Sequence, residues 1–216
     1  ARVHDYLLGH PGEVGVLVCL ELCSLTLQQG DESTANLVSS AIFGDGAAAA
    51  VLVGSGHAAA RPQAGPGPRV EVIDSRSRLF GGTEDALGWQ VGEGGFRIVL
   101  SAGLPAVLEQ HLAQEVATLL APHGLTSAEV GEWIVHAGGP KVLDAVAAAL
   151  DLPEDALLAS RESLAAVGNL SSASVLHVLW TRLGHGTPAP GTIGVVMAFG
   201  PGVGCELVLL RWTGED

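Results

Sequence analysis

The chain alternates between apolar runs and segments in which apolar residues recur at helical spacing, and this pattern constrains the fold more than any other feature. Four apolar runs predict strands (residues 14–20, 47–53, 192–199 and 204–212). The first run is continuous, as is typical of a strand that is covered on both faces. Strands that alternate with helices predict an α/β layer fold.

Helical spacing is clearest in residues 103–120, where Leu104, Leu108 and Leu112 would share one face. Shorter helices are predicted at residues 35–43, 141–150, 155–167 and 171–183, and further strands at residues 70–80 and 132–136. Residues 81–95 are rich in glycine, which predicts an irregular segment.

A stretch rich in glycine, proline and alanine, residues 55–69, has the composition of a linker. It separates residues 1–54 from residues 70–216, so we expect two structural units. Residues 1–8 have the pattern of the end of a helix, which Gly9 would terminate. Because no N-capping residue precedes this helix, we expect the chain to be a piece of a longer one.

Composition excludes several classes of protein. With 216 residues, 48% of them hydrophobic and 15% charged, the chain can bury a sizeable core and is not a disordered protein. The net charge of −13 argues against nucleic acid or an anionic membrane surface as a partner. No apolar run reaches the roughly 18 residues of a membrane span. Three cysteines cannot form a disulfide framework, and they predict a reducing, cytoplasmic location.

The glycine-rich turn at residues 199–204 superficially resembles a phosphate-binding loop. A dinucleotide fingerprint requires a helix after the glycines, whereas residues 204–212 are predicted to form a strand. The turn is better interpreted as backbone that must pass close to another group.

Two polar side chains stand at the ends of predicted elements: His136 follows a short apolar strand, and Asn169 precedes a helix. Taken alone, His136 is more often a core histidine, and Asn169 a loop residue beside a helix cap supplied by Ser171 or Ser172. Sites in α/β sheets, however, gather beyond the carboxyl ends of strands. The two side chains could therefore donate to one oxygen and stabilise an enolate or a tetrahedral oxyanion.

The other reactive side chains suggest no second site. The remaining histidines are scattered without metal-ligand spacing, and no Cys-x-x-Cys occurs, so no metal site is predicted. Cys19 lies inside a predicted strand and is expected to be inert. Cys23 and Cys205 lack the nearby histidine or helix N-terminus that would mark a thiolate nucleophile.

Several segments resemble the type III polyketide synthases, the chalcone synthase family. Residues 134–140 (Ile-Val-His-Ala-Gly-Gly-Pro) resemble the catalytic histidine motif, although Ala137 stands where the family usually has proline. Residues 168–173 (Gly-Asn-Leu-Ser-Ser-Ala) resemble the catalytic asparagine motif. Residues 43–48 resemble the segment that carries a gatekeeper phenylalanine.

Two further segments extend the resemblance over essentially the whole chain. Residues 199–202 (Phe-Gly-Pro-Gly) resemble the loop that shapes the active-site floor, with Ala198 where plant members usually have glycine. Residues 21–26 (Glu-Leu-Cys-Ser-Leu-Thr) resemble the bacterial form, often seen in tetrahydroxynaphthalene synthases.

The resemblance implies a thiolase-type layered αβαβα fold, of which this chain would be the C-terminal part, with residues 1–54 ending the first half and residues 70–216 forming the second. It implies a homodimer that uses acyl-CoA and malonyl-CoA as substrates and needs no cofactor. It also implies a Cys-His-Asn triad that loads an acyl group and extends it with malonyl units, in which His136 and Asn169 fill two of the three roles.

The resemblance also implies the residues of the substrate cavity. Phe43 and Phe96 match the two phenylalanines that gate the passage between the CoA tunnel and the cavity. Cys23 and Thr26 match positions that influence starter choice and chain length. The remaining matched cavity residues are Ser171, Phe199, Gly200, Pro201 and Gly202.

One departure from the family concerns the nucleophile. The family's cysteine lies shortly before the segment that matches residues 1–8, so we expect it upstream of Ala1 and absent from this chain. Two alternatives follow from the residues and the resemblance: a condensing enzyme like ketoacyl-carrier-protein synthase III, and a non-catalytic paralogue or subunit that keeps the cavity walls.

Overall fold

The computed structural model describes residues 1–60 and 69–213. Most of the predicted linker at residues 55–69 therefore lies outside the described residues. Before this gap the elements are α1 (Arg2–Gly9), β1 (Val14–Glu21), a 3₁₀ helix (Cys23–Thr26), α2 (Thr34–Ile42) and β2 (Gly46–Val53). Strands β1 and β2 form a two-stranded antiparallel sheet in which Val14 lies opposite Val53.

After the gap the chain builds a second sheet and four helices. The elements are β3 (Arg69–Leu79), β4 (Leu87–Gly92), β5 (Gly95–Leu100), α3 (Leu104–Leu120), β6 (Val130–Val135), α4 (Pro140–Leu150), α5 (Leu158–Val167), α6 (Ser174–Gly184), β7 (Ile193–Gly200) and β8 (Gly204–Thr213). Four strands pair in the order β3-β8-β7-β6, and β6 runs parallel to β7. Strands β4 and β5 form a separate hairpin.

Helices cover both faces of the four-stranded sheet because its strands are apolar on both faces. Since side chains alternate along a strand, Trp133 and Val135 face one side and pack in the core with α3 and α4, whereas Ile134 faces the other side with α5 and α6. Helix α6 contacts β6 and β7 of this sheet and also β2 of the two-stranded sheet. Helix α6 thus lies between the two sheets, and the α/β layering predicted from the sequence is confirmed.

Three predicted elements need correction. Residues 81–95 were expected to be irregular, but β4 begins at Leu87 and pairs with β5, because the glycines at the segment's end form a hairpin turn. The predicted helix over 171–183 begins with a 3₁₀ turn (Ser171–Ala173), so α6 starts at Ser174. The helix predicted over 155–167 starts at Leu158.

The prediction that β1 is covered on both faces is wrong for the residues described. On its outer face Val16, Val18 and Leu20 are 57%, 69% and 67% exposed. The other face lies against the 3₁₀ turn Ser171–Ala173, and no described element covers the outer one. Among the described helices, none is both long and apolar enough to span a membrane.

Candidate active site

A cavity of about 320 Å³ lies where α2, the β4–β5 hairpin and the carboxyl ends of β6 and β7 meet. Parallel strands end at the same edge of a sheet, which is where α/β proteins place their sites. Most of the lining is apolar. Its polar side chains are Ser39, His136, Asn169, Ser171, Ser172 and Glu206.

His136 enters the cavity directly after β6. Its backbone N–H donates to the carbonyl of Met197 on β7 at 2.8 Å, and its own carbonyl accepts from the N–H of Gly138 at 2.8 Å. A Cβ on Gly138 would lie 3.3 Å from Cδ2 of the imidazole. The glycine therefore lets the backbone turn back along the edge of the ring.

Burial lowers the pKa of His136 from 6.5 to about 4. The charged form is disfavoured because the surrounding protein replaces water around the ring. The imidazole is therefore neutral near pH 7, with one N–H donor and one acceptor nitrogen.

Asn169 is 3% exposed and is fixed through both its side chain and its backbone. Nδ2 donates to the carbonyl of Gly138 at 3.1 Å, and Oδ1 accepts from the N–H of Ser171 at 2.9 Å and from Oγ of Ser174 at 3.3 Å. An amide nitrogen carries two hydrogens. Among the described residues, Gly138 provides the one protein acceptor for Nδ2, which leaves a second N–H for a ligand in the cavity.

The backbone of Asn169 is clamped to the end of α2. Its N–H donates to the carbonyl of Ile42 at 2.8 Å, and its carbonyl accepts from the N–H of Gly44 at 3.0 Å. Gly168 makes this approach possible, because its φ is +75° and a Cβ there would lie 2.3 Å from the carbonyl oxygen of Ile42. This clamp therefore connects residues 1–60 with residues 69–213 next to the main cavity.

The loop after Asn169 differs from the predicted cap. Neither Ser171 nor Ser172 caps a helix: the 3₁₀ turn has no side-chain cap, and Oγ of Ser174 instead accepts from the N–H of Leu170 at 2.7 Å. Ser171 has a φ of +51°, which its N–H bond to Oδ1 of Asn169 supports. Ser172 donates from Oγ to Oε1 of Glu21 at 2.5 Å. The serines thus hold the loop in place.

A second cavity of about 200 Å³ adjoins the first. Cys23 and Thr26 line it, and the hydroxyl of Thr26 donates to the carbonyl of Cys23 at 2.8 Å. Burial, with the nearby carboxylates of Glu21 and Asp45, raises the pKa of the Cys23 thiol. Cys23 is therefore a neutral wall residue.

Phe43 lines both cavities and so forms part of the wall between them. Three other residues share this position, namely Ser39, Trp89 and Ile98. Sequence reasoning missed Trp89 because it treated residues 81–95 as irregular, and it missed Ile98 because it assigned no element to the segment that follows. Two short apolar stretches that flank a glycine turn are a hairpin signal that could have identified them.

The structure separates two predicted cavity residues from the rest. Phe96 is 53% exposed, contacts Trp89 edge-on with ring centroids 6.1 Å apart, and lines neither cavity. Gly202 has a φ of +73° and donates its N–H to the carbonyl of Leu87 at 2.7 Å. Gly202 thereby holds the hairpin base, while Phe199, Gly200 and Pro201 line the main cavity.

Cysteine is absent from the lining of the main cavity in the described part of the chain. Cys205 is fully buried, and burial raises its pKa to about 12. Within residues 1–60 and 69–213, no group of three or more His, Cys, Asp or Glu side chains could hold a metal ion.

Residues 71–213 match the family described as chalcone and stilbene synthases, C-terminal domain. The chain is 54% identical over 211 residues to the 1,3,6,8-tetrahydroxynaphthalene synthase of Streptomyces peucetius subsp. caesius, covering 98% of this chain and 54% of that protein. It is 36% identical over 212 residues to the 3,5-dihydroxyphenylacetyl-CoA synthase of Streptomyces toyocaensis, covering 97% and 53%.

The fold agrees with a solved relative. The 1,3,6,8-tetrahydroxynaphthalene synthase of Streptomyces coelicolor A3(2), a bacterial type III polyketide synthase, superposes with a TM-score of 0.88 at 33% identity, covering 99% of this chain and 58% of that one. The expected thiolase-type α/β fold is confirmed by this likeness, with the chain covering the C-terminal domain. The chain spans little more than half the length of the relatives it matches.

Proposed function

Because the chain belongs to the chalcone and stilbene synthase family, we propose that the protein of which it is a part is a type III polyketide synthase. The reaction is the iterative decarboxylative condensation of malonyl-CoA onto an acyl-CoA starter, followed by cyclisation. The substrates are CoA thioesters, and no cofactor takes part. The assembled enzyme is a cytoplasmic homodimer.

The observation that carries this proposal is the pairing of His136 and Asn169 in one largely apolar cavity. Gly138 links the two, because its carbonyl accepts from Nδ2 of Asn169 and a Cβ on it would lie 3.3 Å from Cδ2 of the imidazole. Both side chains are neutral hydrogen-bond donors on rigid supports, as oxyanion stabilisation requires.

The chemistry follows from these donors. Loss of CO₂ from a malonyl thioester leaves a pair of electrons on the α-carbon, and the charge is delocalised onto the thioester oxygen as an enolate. Neutral N–H donors from His136 and Asn169 stabilise that oxygen, and one such donor contributes about 3 kcal/mol in a site of this kind. The apolar walls exclude water, which protects the growing ketide from hydrolysis.

The acyl group is carried by a cysteine upstream of Ala1 in the longer protein. The imidazole accepts the proton of such a thiol, and the resulting imidazolium stabilises the thiolate. When the acyl group is loaded, the departing CoA thiolate takes up that proton and leaves the ring neutral again. Cys205 is unsuited to this role because it is buried with a pKa of about 12. His136 therefore serves both the thiolate and the oxyanion, in different steps.

The test uses the full-length protein with malonyl-CoA and a series of acyl-CoA starters, and the products are identified by mass spectrometry. We expect CO₂ release and cyclised polyketides from CoA thioesters. Activity confined to thioesters of a carrier protein would contradict the proposal and support a ketoacyl-carrier-protein synthase. Absence of condensation with either class would support a non-catalytic paralogue.

A further inference from the structure

The β4–β5 hairpin forms one side of the wall between the two cavities. Trp89 on β4 lies opposite Ile98 on β5, and both side chains line both cavities. Phe43 completes the wall from the end of α2. The separation of the two cavities therefore depends on the position of the hairpin.

Few backbone bonds hold the hairpin to the rest of the chain. In the described residues its two strands pair with each other and with no other strand. At the base, the N–H of Gly202 donates to the carbonyl of Leu87 at 2.7 Å. A two-stranded ribbon of this kind is marginally stable by itself, so its contacts with the rest of the chain decide its position. Leu87 and Leu100 pack against the core at its base, and α2 contacts β5.

One side chain reaches across to the hairpin tip. Nε2 of Gln28 donates to the carbonyl of Gly94 at 3.1 Å and to the carbonyl of Phe96 at 3.0 Å. A longer contact of 3.4 Å joins the same nitrogen to the carbonyl of Thr26. Gln28 lines neither cavity, so its contacts act on the hairpin rather than on a ligand.

Gln28 is itself held rigidly. Asn36 on α2, which is 8% exposed, donates from Nδ2 to the carbonyl of Gln28 at 3.1 Å and to the carbonyl of Asp31 at 2.7 Å. The carboxylate of Asp31 also lies 3.5 Å from Nε of Arg97 on β5. Because the Arg97 side chain is 60% exposed, this ion pair contributes little, and Gln28 makes the main tether.

We propose that Gln28 is a positioning residue that sets the passage between the two cavities, and thereby the length of acyl chain that the enzyme accepts. This inference rests on the proposed function. The tether holds Trp89 and Ile98 against Phe43. Its loss lets the hairpin withdraw and admits longer acyl chains into the second cavity.

The chain offers a matched pair of variants for the test. Gln28→Glu keeps the size of the side chain but replaces the donating nitrogen with an oxygen that repels both carbonyls. Gln29→Glu makes the same change in charge one position away, at an exposed residue. Gln28→Leu removes the donor without adding charge. It provides the test of the tether if Gln28→Glu fails to fold.

The three variants are made in the full-length protein, and hydrogen–deuterium exchange of residues 87–100 is compared with wild type. We expect exchange of these amides to be about tenfold faster in Gln28→Glu and Gln28→Leu, and unchanged in Gln29→Glu. Unchanged exchange in both Gln28 variants would overturn the tether.

The same proteins are then assayed for kcat/KM with acetyl-CoA and with a long-chain acyl-CoA. We expect the preference to move toward the long chain by about tenfold in the Gln28 variants, while malonyl-CoA decarboxylation stays within about twofold of wild type. Faster exchange with an unchanged preference would overturn the role in starter selection. A wild-type protein that turns over no CoA thioester would contradict the proposed function instead, and the exchange comparison would still decide the tether.

Discussion

His136 connects the site to the pH dependence of stability. Its pKa is lowered by burial to about 4 in the folded protein, against 6.5 in an unfolded chain. Between these values the unfolded chain binds a proton at this position and the folded chain does not. The free energy of unfolding therefore falls as the pH drops from about 6.5 to about 4. Once the pH is below both values, the loss due to His136 amounts to about 3 kcal/mol.

We predict that His136→Gln removes this part of the acid destabilisation. The measurement is the urea unfolding free energy of the full-length protein at about pH 7.5 and about pH 5. His10→Gln, at an exposed histidine, should leave the difference between the two pH values as in wild type. If the free energy of unfolding falls by the same amount between the two pH values in His136→Gln as in wild type, the ring is not held neutral in the folded protein.

Phe43 is a wall residue rather than a core residue, because it lines both cavities and is only half-buried. We predict that Phe43→Ala changes the relative kcat/KM for short and long acyl-CoA starters by about tenfold. Phe80→Ala is the matched control, since Phe80 is 4% exposed in the core and its truncation should cost about 3–5 kcal/mol of stability. If Phe43→Ala unfolds as readily as the control, Phe43 is an ordinary core residue.

At the scale of elements, the clamp between α2 and the loop after α5 depends on Gly168. Alanine there would meet the carbonyl of Ile42 and would have to adopt a φ of +75°. We predict that Gly168→Ala costs about 2 kcal/mol or more and slows malonyl-CoA decarboxylation by displacing Asn169.

Gly184→Ala is the control for this prediction. Gly184 ends α6, and nothing lies within 4 Å of the position of its Cβ. Its substitution should change the free energy of unfolding by less than about 0.5 kcal/mol. Equal stability and activity in the two variants would mean that the clamp does not position the asparagine.

The sequence predicted most elements, and its failures have physical causes. Periodicity placed α3 because the buried leucines Leu104, Leu108 and Leu112 recur every four residues. It missed β4 because the glycines that form the hairpin turn also resemble the start of a loop. It placed a helix cap at Ser171 or Ser172, whereas Oδ1 of Asn169 accepts from the N–H of Ser171 and from Oγ of Ser174 and so orders the loop. Asparagine and serine side chains both make local bonds of this kind, so the sequence did not show which of them would do so here.

The candidate site was predictable only in part. His136 and Asn169 were identified from their positions beside predicted elements, and the structure places both in one cavity. Trp89 and Ile98 were missed because the β4–β5 hairpin was not recognised. The contacts of this hairpin with the rest of the chain are also distant in sequence: Gln28 reaches the carbonyls of Gly94 and Phe96 over more than 60 positions. Long-range contacts of this kind leave no periodic signature.

At the scale of the whole molecule, the outer face of β1 sets the behaviour of the 216-residue chain. Val16, Val18 and Leu20 form a bare apolar row, and such rows promote association. We predict that the chain expressed by itself associates and binds a hydrophobic dye. Replacing these three residues with threonine should reduce both effects, whereas Val91→Thr, at a single exposed valine, should not. A monodisperse wild-type chain that binds no dye would contradict this.

The proposed function requires that His136 and Asn169 act together on the thioester oxygen. The most direct measurement is the rate of malonyl-CoA decarboxylation by the full-length protein and by its His136→Ala, Asn169→Ala and doubly substituted variants. We predict that each single change slows the reaction by about several hundredfold and that the double change costs little more, because the two groups act as a unit. Near-normal rates in both single variants would contradict the account.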